Sequence, residues 1–539
     1  GMRPEAFAAQ RSGVLGPARG MAAVTGAGRR AGSDPAARLV ARLRQAIGDA
    51  SRVRTGPSER QRHGRDLTVH PPRDPDVVVY PESTAEVRAV LQVAAAERVP
   101  VVPFGAGSSL EGHVIPVRGG ISLDLTRMDA VLAVDPVGRT VRVQPGLTRS
   151  RLNAVLAREG LFFPVDPGAD ATLGGMAATN ASGTNALRYG AMKHQVLGLE
   201  VVLPGGAVLR TGTLARRGCP ATRSPGAATA GEADEAAPTG AGAAGGRAAR
   251  GGAPGRSPRR DASVGALPRW DATALFIGSE GTLGVITELE LRVYPVPEAV
   301  VAARVGFPDL AAAARAAVAI ARRCPSATRI ELLDERTLVA VNAYRGTAYP
   351  ARPTLFLEWS GMPAAVAADV ERGRAACLDC GGMDFTVERD PPGRARLWDA
   401  RHHAGLAVTA VAPGRKKLST DVCVPLSQLP AAIRHARATV DALGFAAGIV
   451  AHAGDGNFHV LFAVDPDDPD ELRRARQASA AIVRDALARG GTCTGEHGVG
   501  LGKRQYLPDE HGPEAVAVMA ALKARLDPLG IMNPGKVLP

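Results

Sequence analysis

Three glycine-rich, nearly uncharged stretches recur between aliphatic runs, and they narrow the folds open to this chain. Gly105-Ala106-Gly107-Ser108-Ser109 follows Val99-Pro100-Val101-Val102. A second stretch holds Pro167, Gly168, Thr172, Gly174 and Gly175 and runs on to Ala181-Ser182-Gly183-Thr184-Asn185. A third, Ser279-Glu280-Gly281-Thr282-Leu283-Gly284, leads into Val285-Ile286. Small residues after a strand let backbone N–H groups close on a phosphate or a cofactor. Tight turns use the same residues, so one such loop decides little. Three of them in one αβ region point to a large buried cofactor. No G-x-G-x-x-G opens a helix and no GK[ST] is present, so the Rossmann and P-loop fingerprints are both excluded.

The elements around the loops follow from periodicity. Val77–Tyr80 reads as a buried strand, and Ser83-Thr84-Ala85-Glu86 as a capping box opening a helix with Val87, Val90, Leu91 and Ala94 on one face. Residues 299–445 alternate strands (300–307, 329–333, 354–359) with helices starting at Asp309 and Pro363. That alternation predicts an α+β domain with helices on one face of an antiparallel sheet. A last helix opens at Pro513-Glu514.

The net charge of +12 is confined to two places. Residues 1–62 hold twelve arginines against four acids, and 213–269 hold nine against four, which covers the whole excess. A folded body with no basic surplus argues against a nucleic-acid enzyme. Residues 1–35 read as a disordered basic tail. Residues 213–269 lack any aliphatic run and read as a low-complexity insertion. The six cysteines in 539 residues are too few for a disulfide scaffold and fit a reducing compartment. No long uncharged aliphatic run predicts a membrane span.

The densest chemistry lies near the C-terminus. In His452-Ala453-Gly454-Asp455-Gly456-Asn457-Phe458-His459 the turn 454–457 joins two strands and is expected to set His452 directly opposite His459. Opposed imidazoles can share one ion. Glu496 offers a third, anionic ligand, and His497 a general base. Arg401 is a candidate for a substrate carboxylate, or a helix-surface arginine beside Asp399. Lys416 and Lys417 face an anion or solvent. The lone Cys377-x-x-Cys380 reads as structural.

At these residues the chain resembles the FAD-dependent D-lactate dehydrogenases of the vanillyl-alcohol-oxidase-type (PCMH-type) flavoprotein superfamily. It is similar also to D-2-hydroxyglutarate dehydrogenases and glycolate oxidase subunits. The resemblance runs from about 36 to 539 outside the insertion and is strongest over 164–212, 276–297, 452–459, 491–505 and 532–538. It implies an α+β architecture: a bilobal PCMH-type FAD-binding domain (36–298), an α+β, ferredoxin-like cap (299–490) and a C-terminal helical segment (491–539) returning to the flavin. Gly105, Ala106, Gly107, Ser108, Ser109, Pro167, Gly168, Thr172, Gly174, Gly175, Ala181, Ser182, Gly183, Asn185, Glu280, Gly281, Gly284, Val285, Ile286 and Asn533 would cradle FAD. Ser108 stands where some relatives attach the flavin through histidine, so the flavin would be non-covalent. His452, His459 and Glu496 would hold a divalent metal, zinc or manganese. His497 would be the base, and Arg401 and Lys416 would receive the substrate carboxylate, with Asn457 nearby.

The implied activity is oxidation of D-lactate or a related small D-2-hydroxy acid to the 2-oxo acid. Hydride would pass to flavin N5, with a cytochrome, quinone or electron-transfer flavoprotein as acceptor. Glycolate oxidase-like or D-2-hydroxyglutarate dehydrogenase-like activity is the alternative. An oxygen-reducing or alkyl-transferring flavoenzyme and a basic adaptor are weaker rivals. A cytoplasmic location is expected, with peripheral contact to the inner membrane allowed, and a homodimer is compatible. The resemblance also marks departures. His113 replaces a common glycine. The run 269–273 is displaced by the insertion. Gly405 and Leu406 stand where aromatics are usual, which predicts room for acids bulkier than lactate.

Overall fold

The computed structural model describes residues 34–217 and 271–539 apart from 411, 413 and 446. The basic-tail and insertion readings fall almost wholly outside the described residues.

The first domain is built on two sheets. Strands Val53–Arg54, Val77–Val79, Ile121–Asp124 and Val101–Phe104 form a four-stranded sheet in that spatial order, with parallel pairing of the last three. Strands Val131–Asp135, Thr140–Val143, Val285–Arg292, Val196–Val202 and Val208–Arg210 form an antiparallel five-stranded sheet. Strand Val285–Arg292, which follows the insertion, lies beside Val196–Val202, which precedes it. After the edge strand Val208–Arg210 the chain forms the short helix Gly212–Arg217, so 213–217 are helical where the sequence reading placed the insertion, and the described residues resume at 271.

Helix Thr84–Glu97 shows how local sequence becomes packing. The Ser83 hydroxyl accepts from the Glu86 amide at 3.3 Å, capping the helix. Val87, Val90 and Leu91 are fully buried against Val77, Val79 and Ile121, each contributing about 1.5–3 kcal/mol. The Glu86 carboxylate closes on the Glu82 amide and Arg52 instead of on Ser83, so the capping box is one-sided.

Residues 299–464 form one eight-stranded sheet. Helices Leu310–Arg323, Pro363–Asp379, Leu429–Ala442 and Pro469–Ala488 cover one face, against Val305, Leu332, Leu357, Phe458 and Phe462. The expectation that helices cover one face alone is corrected. Helices Glu335–Arg345, Pro391–His402 and Ala404–Ala410 pack on the other face, against Leu333, Phe356 and Val450. The cause is strand alternation: neighbouring strand residues point to opposite faces, and both sets are apolar here. The second face is covered only in part, and its uncovered strip carries the site.

The C-terminus returns to the first domain. The Val101 amide donates to Ile531 O and the Asn533 amide to Val101 O, each at 2.8 Å. The chain end thereby pairs with the strand that feeds the first glycine loop. Among the described residues no helix is long and apolar enough to cross a membrane.

Candidate active site: a cavity between glycine loops and a histidine hairpin

A cavity of about 500 Å³ lies between the first domain and the uncovered strip of the large sheet. All three glycine stretches border it. Gly105, Ala106, Gly107, Ser108, Ser109, Pro167, Gly168, Thr172, Gly174, Gly175, Ala181, Glu280, Gly281, Gly284, Ile286 and Asn533 reach its wall. The loops need glycine because they touch. A Cβ on Gly105 would sit 2.3 Å from Thr172 Oγ1, and one on Gly174 2.5 Å from Pro145 Cβ. Gly281 has φ +70°, where side chains are strained. Asn533 Nδ2 donates to His113 O and Glu280 O, fastening the first loop to the third. The Ser109 hydroxyl on this wall is buried without a hydrogen-bond partner. A close-packed backbone cradle with an orphaned hydroxyl fits a large phosphate-bearing cofactor such as FAD.

Four expected cofactor residues lie behind the wall. Val285 points into the core beside Val202. Ser182 is buried off the wall, and Gly183 and Asn185 buttress Asp166: the Asn185 amide and Thr184 hydroxyl donate to its carboxylate, and a Cβ on Gly183 would strike its backbone. Arg329 of the large sheet reaches across to Asp166 and Asn185. This turn therefore ties the two domains together and supports the wall from outside.

The large sheet supplies the opposite wall. The hairpin of strands Gly448–His452 and Asn457–Val464 forms as expected, but its register differs. His452 pairs with Asn457, and Val450 with His459. The two histidines are diagonal neighbours on one face, because the side-chain period of two keeps 457 and 459 together. Their Nε2 atoms lie 3.2 and 3.3 Å from one oxygen, Glu496 Oε1. The other oxygen, Oε2, is buried without a partner. The set of two imidazoles and a carboxylate fits a divalent ion.

The electrostatics follow from burial and pairing. Burial disfavours the charged His452, but Glu331 and Glu496 on either side outweigh it and hold its pKa well above the ordinary value. Burial likewise opposes ionisation of Glu496, and His452 and His459 hold it well below the carboxylate range. Burial pushes His497 down to about 3, so it is neutral at pH 7. Its ring stacks on His459 at 4.8 Å.

Three expected substrate residues are placed unequally. Arg401 lines the cavity but gives Nε and Nη2 to Glu331 Oε2 at 2.8 and 2.5 Å. Lys416 is corrected: it is exposed and off the wall, because alternation turns its neighbour Lys417 inward with Ser419. The Lys417 ammonium has no hydrogen bond or ion pair with any described residue. Burial lowers its pKa, against the pull of Glu496 and Asp66. Asn457 is also corrected. It lies behind the wall and donates to Asp421 and Val422 O at 3.0 Å.

Sequence reasoning missed several working residues. Glu331 sits opposite His452 and holds its Nδ1 at 2.9 Å. Asp421 is fully buried under His459 and His497. Lys503 joins Asp421 to Glu111 at 3.0 and 2.9 Å. His113 meets the buried Glu280 at 3.2 Å. A lone carboxylate inside an aliphatic strand, as in Arg329-Ile330-Glu331-Leu332-Leu333, was the available signal, since buried charges are paired.

Comparisons with known proteins agree with this arrangement. Residues 75–212 match the FAD binding domain and residues 296–537 the C-terminal domain of FAD linked oxidases. A probable mitochondrial D-lactate dehydrogenase of Danio rerio is 43% identical over 517 residues, covering 96% of this chain and 95% of its own. The mitochondrial D-lactate dehydrogenase [cytochrome] of Arabidopsis thaliana is 38% identical, with 86% and 74% covered. Glycolate oxidase subunit GlcD of Bacillus subtilis is 31% identical, with 86% and 89% covered. Among solved structures, 4-ethylphenol oxidase from Gulosibacter chungangensis superposes with TM-score 0.72 at 17% identity, over 95% of this chain and 98% of that one. p-Cresol methylhydroxylase does so with TM-score 0.67 at 16% identity, over 93% and 96%. These two establish the PCMH-type α+β fold. The glycine cradle, the histidine hairpin facing it and the two matched domains place this chain in the FAD-linked oxidase family to which the D-lactate dehydrogenases belong.

Proposed function

We propose that this chain oxidises D-lactate or a closely related D-2-hydroxy acid to the 2-oxo acid and passes the electrons to a separate acceptor such as a cytochrome. The observation that carries this reading is the meeting of His452, His459 and Glu496 on a wall that faces the glycine cradle. The supporting relatives are named for D-lactate and glycolate oxidation.

When bound, FAD supplies the hydride acceptor, and a divalent ion on His452, His459 and Glu496 supplies Lewis acidity toward the 2-hydroxyl. The residues of the chain do the rest. Neutral His497 accepts the hydroxyl proton at Nε2, the atom on the Glu496 side at 3.8 Å. Lys417 and the unused Nη1 of Arg401 receive the carboxylate. Glu331 holds His452 by Nδ1, so Nε2 faces the cavity. The C2 hydrogen leaves as hydride while the proton stays on His497, which balances the two-electron oxidation.

The relatives' names place those proteins in mitochondria. Purified protein with bound flavin should bleach anaerobically with D-lactate and not with L-lactate, and chelation of the metal should abolish the bleaching. Equal bleaching by both enantiomers, or bleaching by neither with the metal in place, would refute the reading. Preference for glycolate in the same assay would favour the glycolate oxidase alternative.

A further inference from the structure

We propose that Asp421 is the positioning residue of this site, orienting the His497 base and fixing its tautomer. The inference rests on the function proposed above and assigns a role to a residue that no motif brought forward. Asp421 lies between strands Lys416–Ser419 and Val422–Cys423, and its side chain is fully buried.

Its carboxylate is where three parts of the molecule meet. It accepts from the backbone amides of Glu496 and His497 at 3.1 and 2.8 Å and from the Thr494 hydroxyl at 2.8 Å. The loop that delivers ligand and base is thereby hung on one side chain. Asn457 Nδ2 holds Oδ1 from the hairpin at 3.0 Å. Lys503 holds Oδ2 at 3.0 Å and is itself held by Glu111 of the first domain at 2.9 Å.

Two imidazoles face this carboxylate through Nδ1, His459 at 3.7 Å and His497 at 3.9 Å. They differ in their other contacts. His459 Nδ1 is 3.1 Å from Thr420 O, an acceptor only, so its proton is already placed. His497 Nδ1 is buried with no hydrogen-bond partner. The only anion facing that nitrogen among the described residues is Asp421. An anion there favours the proton on Nδ1 and leaves the lone pair on Nε2. In unrelated hydrolases a buried carboxylate acts on the base through a hydrogen bond to Nδ1–H; here the atoms stand 3.9 Å apart and Asp421 acts through its charge and through the loop it holds.

The test is Asp421→Asn, which keeps size and an acceptor but removes the charge. Stopped-flow reduction of the bound flavin by D-lactate should slow by about 10²-fold or more, with the apparent Kd for D-lactate within about threefold. Metal affinity should fall by no more than about tenfold, the low end for a residue behind the ligands, because Thr420 O still orients His459. Histidine-selective ¹⁵N NMR of the metal-free protein should show His497 as the Nδ1–H tautomer in the wild type and a mixture in the variant. Thr494→Val, which removes one anchor and leaves the charge, should slow reduction far less and guards against a folding failure of Asp421→Asn. Flavin reduction at the wild-type rate in folded Asp421→Asn, a loss explained wholly by lost metal, or a wild-type Nε2–H tautomer would each overturn the proposal. If no 2-hydroxy acid reduces the wild-type flavin, the proposed function falls, while the NMR result still decides the role of Asp421.

Discussion

The rings of His452 and His459 stand 5.6 Å apart with their planes at 88°, although the two residues are not cross-strand partners. A diagonal pair brings both Nε2 atoms to one oxygen of Glu496. The same hairpin keeps His452 opposite Glu331, which takes its Nδ1.

Removing one corner of this triangle should empty the proposed metal site. His452→Ala and Glu496→Gln should each lose bound zinc or manganese, measured by elemental analysis after dialysis. Turnover should fall about 10²-fold or more while flavin content is unchanged. A variant that keeps one equivalent of metal per chain would take that residue out of the ligand set.

The inward lysine is distinguished from its outward neighbour by one residue of strand alternation. Lys417→Met removes a charge-assisted contact of about 1.5–3 kcal/mol, so KM for D-lactate should rise roughly ten- to hundredfold, each tenfold being about 1.4 kcal/mol. Lys416→Met should leave KM within about twofold. The reverse order of effects in steady-state kinetics would return the role to Lys416.

The buried pair His113 and Glu280 gives a pH signature. Burial opposes both charges, but it is outweighed at His113 by Glu280, with Glu111 and Asp66 adding, and at Glu280 by His113 together with the Val499 and Gly500 amides, so His113 is raised and Glu280 lowered. The contribution of His113 is complete below its unfolded value of about 6.5 and fades as pH rises through the raised folded value. That of Glu280 is complete above about 4.3 and fades as pH falls through its depressed folded value. Glu280→Gln should therefore cost about 3–5 kcal/mol near pH 6, and the gap should narrow at high pH. Thermal unfolding of both proteins from pH 5 to 9 checks this. A gap that does not change with pH would mean that the ion pair is not its cause.

The cavity mouth predicts breadth of substrate. Gly405 and Leu406 are on the wall; a Cβ on Gly405 would touch nothing, and Leu406 is 56% exposed. Gly405→Phe should lower kcat/KM for D-2-hydroxyisocaproate more than for D-lactate. In the wild type, a kcat/KM falling steeply from D-lactate to the longer acid would show that the mouth does not hold the side chain.

Local chemistry carried much of this protein. The three glycine stretches, the helix capped by Ser83, the two-histidine hairpin and the Glu496-His497 pair were legible because each follows from spacing within a few residues. Periodicity also marked several of the strands, among them those near 77–80, 300–307, 329–333 and 354–359. It did not fix how they pair: a hairpin register moved by one residue on each strand keeps the same face, so the pattern of apolar residues cannot tell His459 from Asn457 as the partner of His452. Nor could sequence show that Lys417 and not Lys416 turns inward, since the two open the same short strand, Lys416–Ser419, and only its pairing decides which face meets the cavity. Glu331, Asp421, Glu111 and Lys503 were decided by tertiary structure alone. They lie up to hundreds of residues apart, and a buried charge becomes tolerable only where folding brings its partner within hydrogen-bond reach.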